Sequence, residues 1–450
     1  MSRASQCVRV EKKHASARGG GGEEEPPLEQ EKKLTSPPPS LTRSRSLSLS
    51  SLSLPLSLHP PPSLPFSLVS VDERADLLAA LEPQSPAVTA GGSAANTLRA
   101  VARLGAVRGG GDPAADAASA SSAPSPPSGS ASVASQQAPL RVAWAPVAGT
   151  DAQAAFHAAA MASAGVVVLP GCATAAADAA TGTVVVATTP DAQRSFLSHV
   201  EAAGPLAWDG AALAAAASCR LLLVEGYLWE LPGAAEAIGR AVDAARSGGA
   251  LVAFTAGDAG VCGRHRGAIS AALDSGMADV LFANRAEASA LLKGEAQGSG
   301  ADSLVPADEA AALLASRVGV AIVTDGANGA SICALGAKTT VPPVWGPLPP
   351  VDTNGAGDAF AAGAIFGLLR GYSVVDLGRA GARAAAAVIG RHGAAMSEDE
   401  AARVVGAMEA ARAEEARGGW RRRVSGGGVG EGASASSASA ASPLTTVDEK

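Results

Sequence analysis

Near the C-terminal end of the chain, Asp352-Thr353-Asn354-Gly355-Ala356-Gly357-Asp358-Ala359-Phe360 forms a short glycine-broken turn that runs into small and apolar residues as far as Arg370. That run is long enough for about three helical turns, so the turn's amides are the free donors of a helix N-terminus. Gly355 and Gly357 lack a Cβ, which lets a phosphate approach the main chain, and the helix dipole favours its charge. Asp358 is the odd residue, because a carboxylate repels phosphate. It belongs in such a turn if it takes the proton of a hydroxyl about to attack that phosphate. The competing reading makes Asp358 a dipole-favouring residue of the first turn and gives the glycines no role beyond the turn; residue types alone leave both open. The chain contains no G-x-x-x-x-G-K-[ST], which excludes a P-loop, and Phe360 stands where a dinucleotide turn needs a small residue.

Other polar groups sit at similar places. Gly91 and Gly92 enter an alanine-rich and leucine-rich helix reaching Gly105. Two glycines let a hydroxyl-rich ligand lie against backbone, and Asn96 offers a diol both donor and acceptor; a plain helix cap by Ser93 or Asn96 is the alternative. Asn284 and Glu287, three residues apart, share one face of a helix's first turn. Glu287 suits the water shell of a Mg²⁺ ion bridging nucleotide phosphates, while a capping box explains the same pair without a ligand. Thr324-Asp325-Gly326-Ala327-Asn328-Gly329 is a polar turn with two glycines, and Glu225 is an acid at a helix start.

These groups need a frame. Leu221 to Val224, Leu251 to Phe254, Val280 to Ala283 and Val320 to Val323 are continuous apolar runs, as parallel strands covered on both faces require. Alternation with helical segments implies a doubly wound sheet, whose functional groups gather at the C-terminal strand ends. Glu225, Asn284 with Glu287, and Thr324 to Gly326 follow such strands, and Asp352 to Asp358 is expected to do so too. Leu140 to Val147 reads as a further strand, with Asp151 near the N-cap of the next helix. Val166 to Leu169 and Gly182 to Ala187 are β-branched runs, the latter joined through Pro190-Asp191 to Arg194–Leu197 as a hairpin. Val69 to Leu81 has the spacing of an amphipathic helix, with Leu77, Leu78 and Leu81 on one face.

Composition bounds the rest. Of 450 residues only 3% are aromatic, and the formal net charge of −7 argues against a nucleic-acid partner. The five cysteines are scattered with no C-x-x-C pair, so neither a zinc site nor a disulfide framework is indicated. Apolar stretches are interrupted within about eighteen positions, too soon for a membrane span. Residues 1–65 have no buriable face of useful size and are expected to be disordered. Their acid-free, serine-rich part suits a chloroplast transit peptide, with a cytoplasmic protein as the alternative; the Ser-Leu alternation at 46–50 also fits a translated CT repeat. Residues 108–139 read as a flexible insertion, 398–417 as a charged, alanine-rich helix, and 418–450 as a disordered tail.

Asp352 to Phe360 resembles the second signature of the PfkB (ribokinase-like) carbohydrate and nucleoside kinases, and Gly91-Gly92-Ser93-Ala94-Ala95-Asn96 through Gly105 resembles the first. Val224–Trp229, Thr188–Arg194 and Val323–Gly326 look closest to plastid-located plant members, and the resemblance spans roughly 66–417. It implies a ribokinase-like, mostly parallel α/β sheet with helices on both faces and a small β lid made from the hairpin. It implies catalysis by Asp358 with the amides of Gly355, Ala356 and Gly357, and acceptor contacts from Gly91, Gly92, Asn96 and Glu225. It further implies nucleotide contacts from Asn284, Thr324, Gly326 and Gly329, and Mg²⁺ near Glu287. Residues 384–393 match where the family lays adenine. ATP and Mg²⁺ are the implied cofactors, with a monovalent cation and a homodimer left open; the partner is a small sugar or nucleoside rather than nucleic acid or membrane. The family's first core strand, with its substrate-binding aspartate, and two lid strands are not spelled before Phe66, so the lid is expected to be incomplete. An inactive scaffold in a plastid complex is therefore the competing function.

Overall fold

In the computed structural model the described residues are 5–10, 66–68, scattered positions within 73–79, 87–107, 138–169, 181–188, 194–199, 205–293, 304–346 and 349–425. The expected insertion at 108–139 falls outside them except for its last two residues, as does nearly all of 1–65 and the tail from 426. In chain order the elements are β1 (Ser5–Val10), β2 (Phe66–Leu68), β3 (Ala87–Gly91), α1 (Ser93–Ala106), β4 (Val142–Trp144), α2 (Ala152–Ser163), β5 (Val166–Val168), β6 (Gly182–Thr188) and β7 (Arg194–His199). There follow α3 (Gly210–Ser218), β8 (Leu221–Glu225), α4 (Ala234–Ser247), β9 (Leu251–Thr255), α5 (Ala259–Arg264), α6 (Arg266–Asp274), β10 (Val280–Asn284), α7 (Arg285–Lys293), α8 (Ala307–Ala315) and β11 (Val320–Thr324). Last come β12 (Ala330–Ala334), β13 (Ala337–Val341), α9 (Ala356–Leu369), α10 (Val374–Val388) and α11 (Glu398–Ser425).

The chain divides into two compact units, one holding Gln6–Thr89 and Gly182–Val200, the other Met1–Ser5, Ala90–Thr181 and Glu201–Lys450. The smaller unit is built on a sheet ordered β2-β7-β6-β1-β3. The hairpin read from the sequence is there, β6 pairing antiparallel to β7 with Val185 opposite Leu197, and β1, β2 and β3 add three strands to it. Positions 73, 75, 76, 78 and 79 are helical, within the segment whose leucine spacing suggested a helix.

The larger unit carries the expected α/β layers. Its six-stranded sheet runs β13-β12-β11-β10-β9-β8. Strands β8 to β11 are parallel, with Leu221 opposite Leu251 and Val280 opposite Val320, so the four apolar runs became one buried sheet. Strands β12 and β13 are antiparallel additions that the sequence reading passed over. Their loop, Leu335–Gly336, takes positive φ at both residues (50 and 79), the twist a two-residue hairpin needs. A leucine in that role is unusual, which is why the turn left no signal. Strand β4 is shorter than the expected 140–147 and pairs with β5 in a separate two-stranded sheet.

Helix α9 is buried from Ala359 to Gly367 without a break, which explains its uniformly apolar spelling: a helix hydrophobic all round belongs in the core. Its glycines allow close packing. A Cβ on Gly363 would run into the Ala380 carbonyl of α10, and one on Gly381 would lie 2.8 Å from the Phe360 ring. Helix α11 runs to Ser425, beyond the expected end at 417.

Candidate active site

Asp358 lies in the first turn of α9. Gly355 is the N-cap, held at φ 77. That left-handed backbone suits glycine, and a Cβ there would also overlap Ala394, so both conformation and space exclude a side chain. The turn is tied down by Asp352, buried to 1% exposure. One of its oxygens accepts from the Asn354 amide (2.9 Å) and the other from the Gly393 amide (3.0 Å), while the amides of Val351 and Asp352 both donate to the Ile389 carbonyl. The loop after α10 is thereby fixed to the start of α9.

The amides of Gly357 and Asp358 are first-turn donors with no intrahelical acceptor. The Ala356 amide differs from the expectation: it donates to the Thr353 carbonyl at 3.2 Å, because the turn folds back on itself before the helix begins. A second correction concerns the approach. Asp352–Asp358 does not directly follow a strand; a loop rich in proline, which lacks the N–H a ladder needs, separates it from β13.

Helix α1 meets α9 at Asp358. Ser93 Oγ donates to Asp358 Oδ1 (2.8 Å), Asn96 Nδ2 donates to Oδ2 (2.9 Å), and Thr97 Oγ1 donates to the Asp358 carbonyl (3.3 Å). Neither Ser93 nor Asn96 caps its own helix, whose N-cap is Gly92 at φ 106 with no side-chain cap bond. The plain capping alternative for this motif therefore does not hold. Burial pushes the Asp358 carboxyl up to about 6, against the opposing bonds from Asn96 and Ser93.

A cavity of about 90 Å³ brings together Ser93, Thr255, Asn284, Glu287, Thr324, Gly357 and Asp358. It joins the C-terminal ends of β9, β10 and β11 to the start of α9, as a parallel sheet's strand polarity dictates. Asn284 and Glu287 form the full reciprocal cap: the Asn284 amide and Nδ2 donate to Glu287 Oε2 (2.8 Å) and Oε1 (2.6 Å), and the Glu287 amide donates to Asn284 Oδ1 (2.9 Å). Burial raises the Glu287 carboxyl to about 8, with Asp258, Glu225 and Asp358 adding to the effect. Glu225, 2% exposed, accepts from Thr255 Oγ1 at 3.3 Å. Two carboxyl groups, Glu287 and Asp358, thus line one small space, with Glu225 and Asp258 near enough to act on Glu287, a charge arrangement suited to a Mg²⁺-bound polyphosphate. Among the described residues there is no cluster of three protein ligands for a bare metal, and Glu287's oxygens are already occupied by Asn284, so contact through a metal's water shell fits better than direct ligation.

The remaining expected residues lie outside that cavity's lining. The Gly91 carbonyl bonds to His157 Nε2 (2.7 Å). Gly326 and Gly329 have φ 53 and 90 in the short turn after β11, closed by the Asp325 amide on the Gly329 carbonyl (2.8 Å). Sequence reasoning missed Ser93 as a partner of Asp358, Thr97, and the Asp352–Gly393 tie. Ser93 and Asp352 were visible inside their motifs, but a bond spanning 265 positions leaves no local trace.

The sequence matches the pattern of the pfkB family carbohydrate kinases over residues 127–401. Among solved structures it resembles an adenosine kinase from Sinorhizobium meliloti, at 28% identity and TM-score 0.58, covering 75% of this chain and 89% of that one. It also resembles a probable sugar kinase from Rhizobium etli CFN 42, at 26% identity and TM-score 0.57, covering 76% and 89%. An adenosine kinase from Schistosoma mansoni in complex with 2-fluoroadenosine shares the fold at 18% identity and TM-score 0.57, covering 74% and 89%. No curated protein matches the chain.

Proposed function

The chain belongs to the pfkB family of carbohydrate kinases, and from that premise we propose that it transfers the γ-phosphoryl group of ATP to a primary hydroxyl of a sugar or nucleoside. The observation that carries the reading is the half-buried carboxylate of Asp358 beside first-turn amides of α9, inside the cavity that also holds Glu287 and Thr324. The acceptor oxygen forms a bond to the γ-phosphorus, the bond from that phosphorus to the bridging oxygen breaks, and ADP leaves. Asp358 takes the hydroxyl proton. With its carboxyl pushed up only to about 6, it is ionised at neutral pH and able to act as the base.

The Gly357 and Asp358 amides supply fixed donors for charge developing on the transferred group, each worth about 3–4 kcal/mol in comparable anion holes. Mg²⁺, when bound, neutralises the phosphates; Glu287, with Glu225 nearby, would hold its water shell. The 28% identity to an adenosine kinase and 26% to a probable sugar kinase support both acceptor classes and favour neither strongly. The test is incubation with ATP, Mg²⁺ and a panel of adenosine, other nucleosides, ribose and fructose, followed by detection of phosphorylated product. Asp358→Asn is expected to lower transfer by about 10²–10⁴-fold while nucleotide binding persists. Near-normal turnover in that variant removes the base assignment, and no product from any acceptor in the native protein favours a scaffold.

A further inference from the structure

We infer that Ser93 is a positioning residue for Asp358: its hydroxyl fixes one carboxylate oxygen, and so sets the orientation in which the base meets an acceptor alcohol. The inference rests on the kinase reading above and adds to it a residue with no assigned role. Three facts carry it. Ser93 Oγ donates to Oδ1 at 2.8 Å rather than capping α1. It lines the same cavity as Asp358, whereas the other side chains that hold Asp358, Asn96 and Thr97, do not. The Thr97 bond reaches only the main-chain carbonyl, and leaves the carboxylate free to rotate without Ser93 and Asn96.

The two bonds to the carboxylate have different prospects. Asn96 carries an amide suited to a diol, so an incoming ligand competes for it. Ser93 offers a single hydroxyl already directed at Oδ1. When Asn96 turns to a ligand, Ser93 is the remaining side-chain restraint, and a carboxylate with two oxygens keeps an acceptor site for the alcohol while Oδ1 is held. Among the described residues, the charged groups facing Asp358 are the carboxylates of Glu225 at the end of β8 and Glu287 on α7. Both repel it, so they favour the protonated acid and cannot substitute for the Ser93 donor.

The experiment is a pH titration of the protein carrying ¹³C-carboxyl aspartate, without ligand, for the native chain, Ser93→Ala and Ser93→Thr, with Asp358→Asn identifying the resonance by its loss. The native signal is expected to titrate near pH 6. Loss of one hydrogen bond to the ionised form moves it upward by about one pH unit in Ser93→Ala, and Ser93→Thr restores it. A merely structural serine would change the melting temperature and leave the titration where it was. Unchanged titration in a folded Ser93→Ala, or a Ser93→Thr that behaves like alanine, overturns the inference. Because the readout needs no turnover, it is independent of the Asp358→Asn activity test, whose failure would instead remove the base assignment.

Discussion

Glu287 makes a demanding test of the electrostatics. Its carboxyl moves from 4.5 to about 8 on folding, so between those values the folded state binds a proton that the unfolded chain has released. Stability therefore falls as pH rises through that window, is unaffected by this group below about 4.5, and levels off above about 8. A separation of about 3.5 pH units corresponds to an upper bound of about 5 kcal/mol. Glu287 retains partial contact with solvent, which screens the penalty, so about 2 kcal/mol is expected. Glu287→Gln removes the charge and keeps an oxygen for the Asn284 amide, at the cost of the bond from Asn284 Nδ2. At pH 5 native and variant proteins both carry a neutral side chain, and the variant should be equal or slightly less stable. At pH 8.5 it should be more stable by about 1–2 kcal/mol, a rise in Tm of several degrees for a domain of this size. Thermal melts of the two proteins from pH 5 to 8.5, in the absence of Mg²⁺ and nucleotide, give the difference curve directly. A difference that stays flat, or that declines as pH rises, refutes the claim that converging carboxylates load this cavity with unfavourable charge. Added Mg²⁺ and nucleotide should shrink the gain if the acidity serves to hold them.

Three further outcomes follow from the same geometry. Asp352→Asn places an amide group against one of two main-chain donors in a buried site and should cost about 2–4 kcal/mol, measured by urea unfolding; a change below about 0.5 kcal/mol would show that the Asn354 and Gly393 bonds matter little. Gly355→Ala combines a left-handed residue with overlap on Ala394 and should lose about 2–4 kcal/mol along with turnover, whereas Gly276→Ala, at a similar φ of 75 but in open space, should lose only about 1–2 kcal/mol; equal losses would deny the steric contribution. For the acceptor that proves active, kcat/KM should fall tenfold per pH unit below about 6, since the free protein's base is then protonated; a flat profile down to pH 5 would contradict Asp358 as that base.

Much of the frame was written locally. The four continuous apolar runs could become only buried parallel strands, and strand polarity then placed Glu225, Asn284 and Thr324 at one end of the sheet. The Gly355-Ala-Gly-Asp358 turn announced a helix start because glycine and a following apolar run are short-range signals, and the all-round apolar spelling of α9 is the mark of a central helix. The Asn284–Glu287 cap was equally local and appears as read. What no stretch of sequence could settle was the pairing of distant parts. That Ser93 and Asn96 turn from their own helix to the carboxylate of Asp358, that Gly393 completes the bonds of Asp352, and that Asp258, Glu225 and Asp358 help to raise the Glu287 carboxyl all depend on residues distant in the chain, 265 positions apart for Ser93 and Asp358, being brought together. Hydrogen bonds and charge repulsion act over distance in space, while composition and periodicity report only neighbours along the chain. The residue types that could do chemistry were therefore legible in the sequence, and their partners, protonation and orientation were decided by packing.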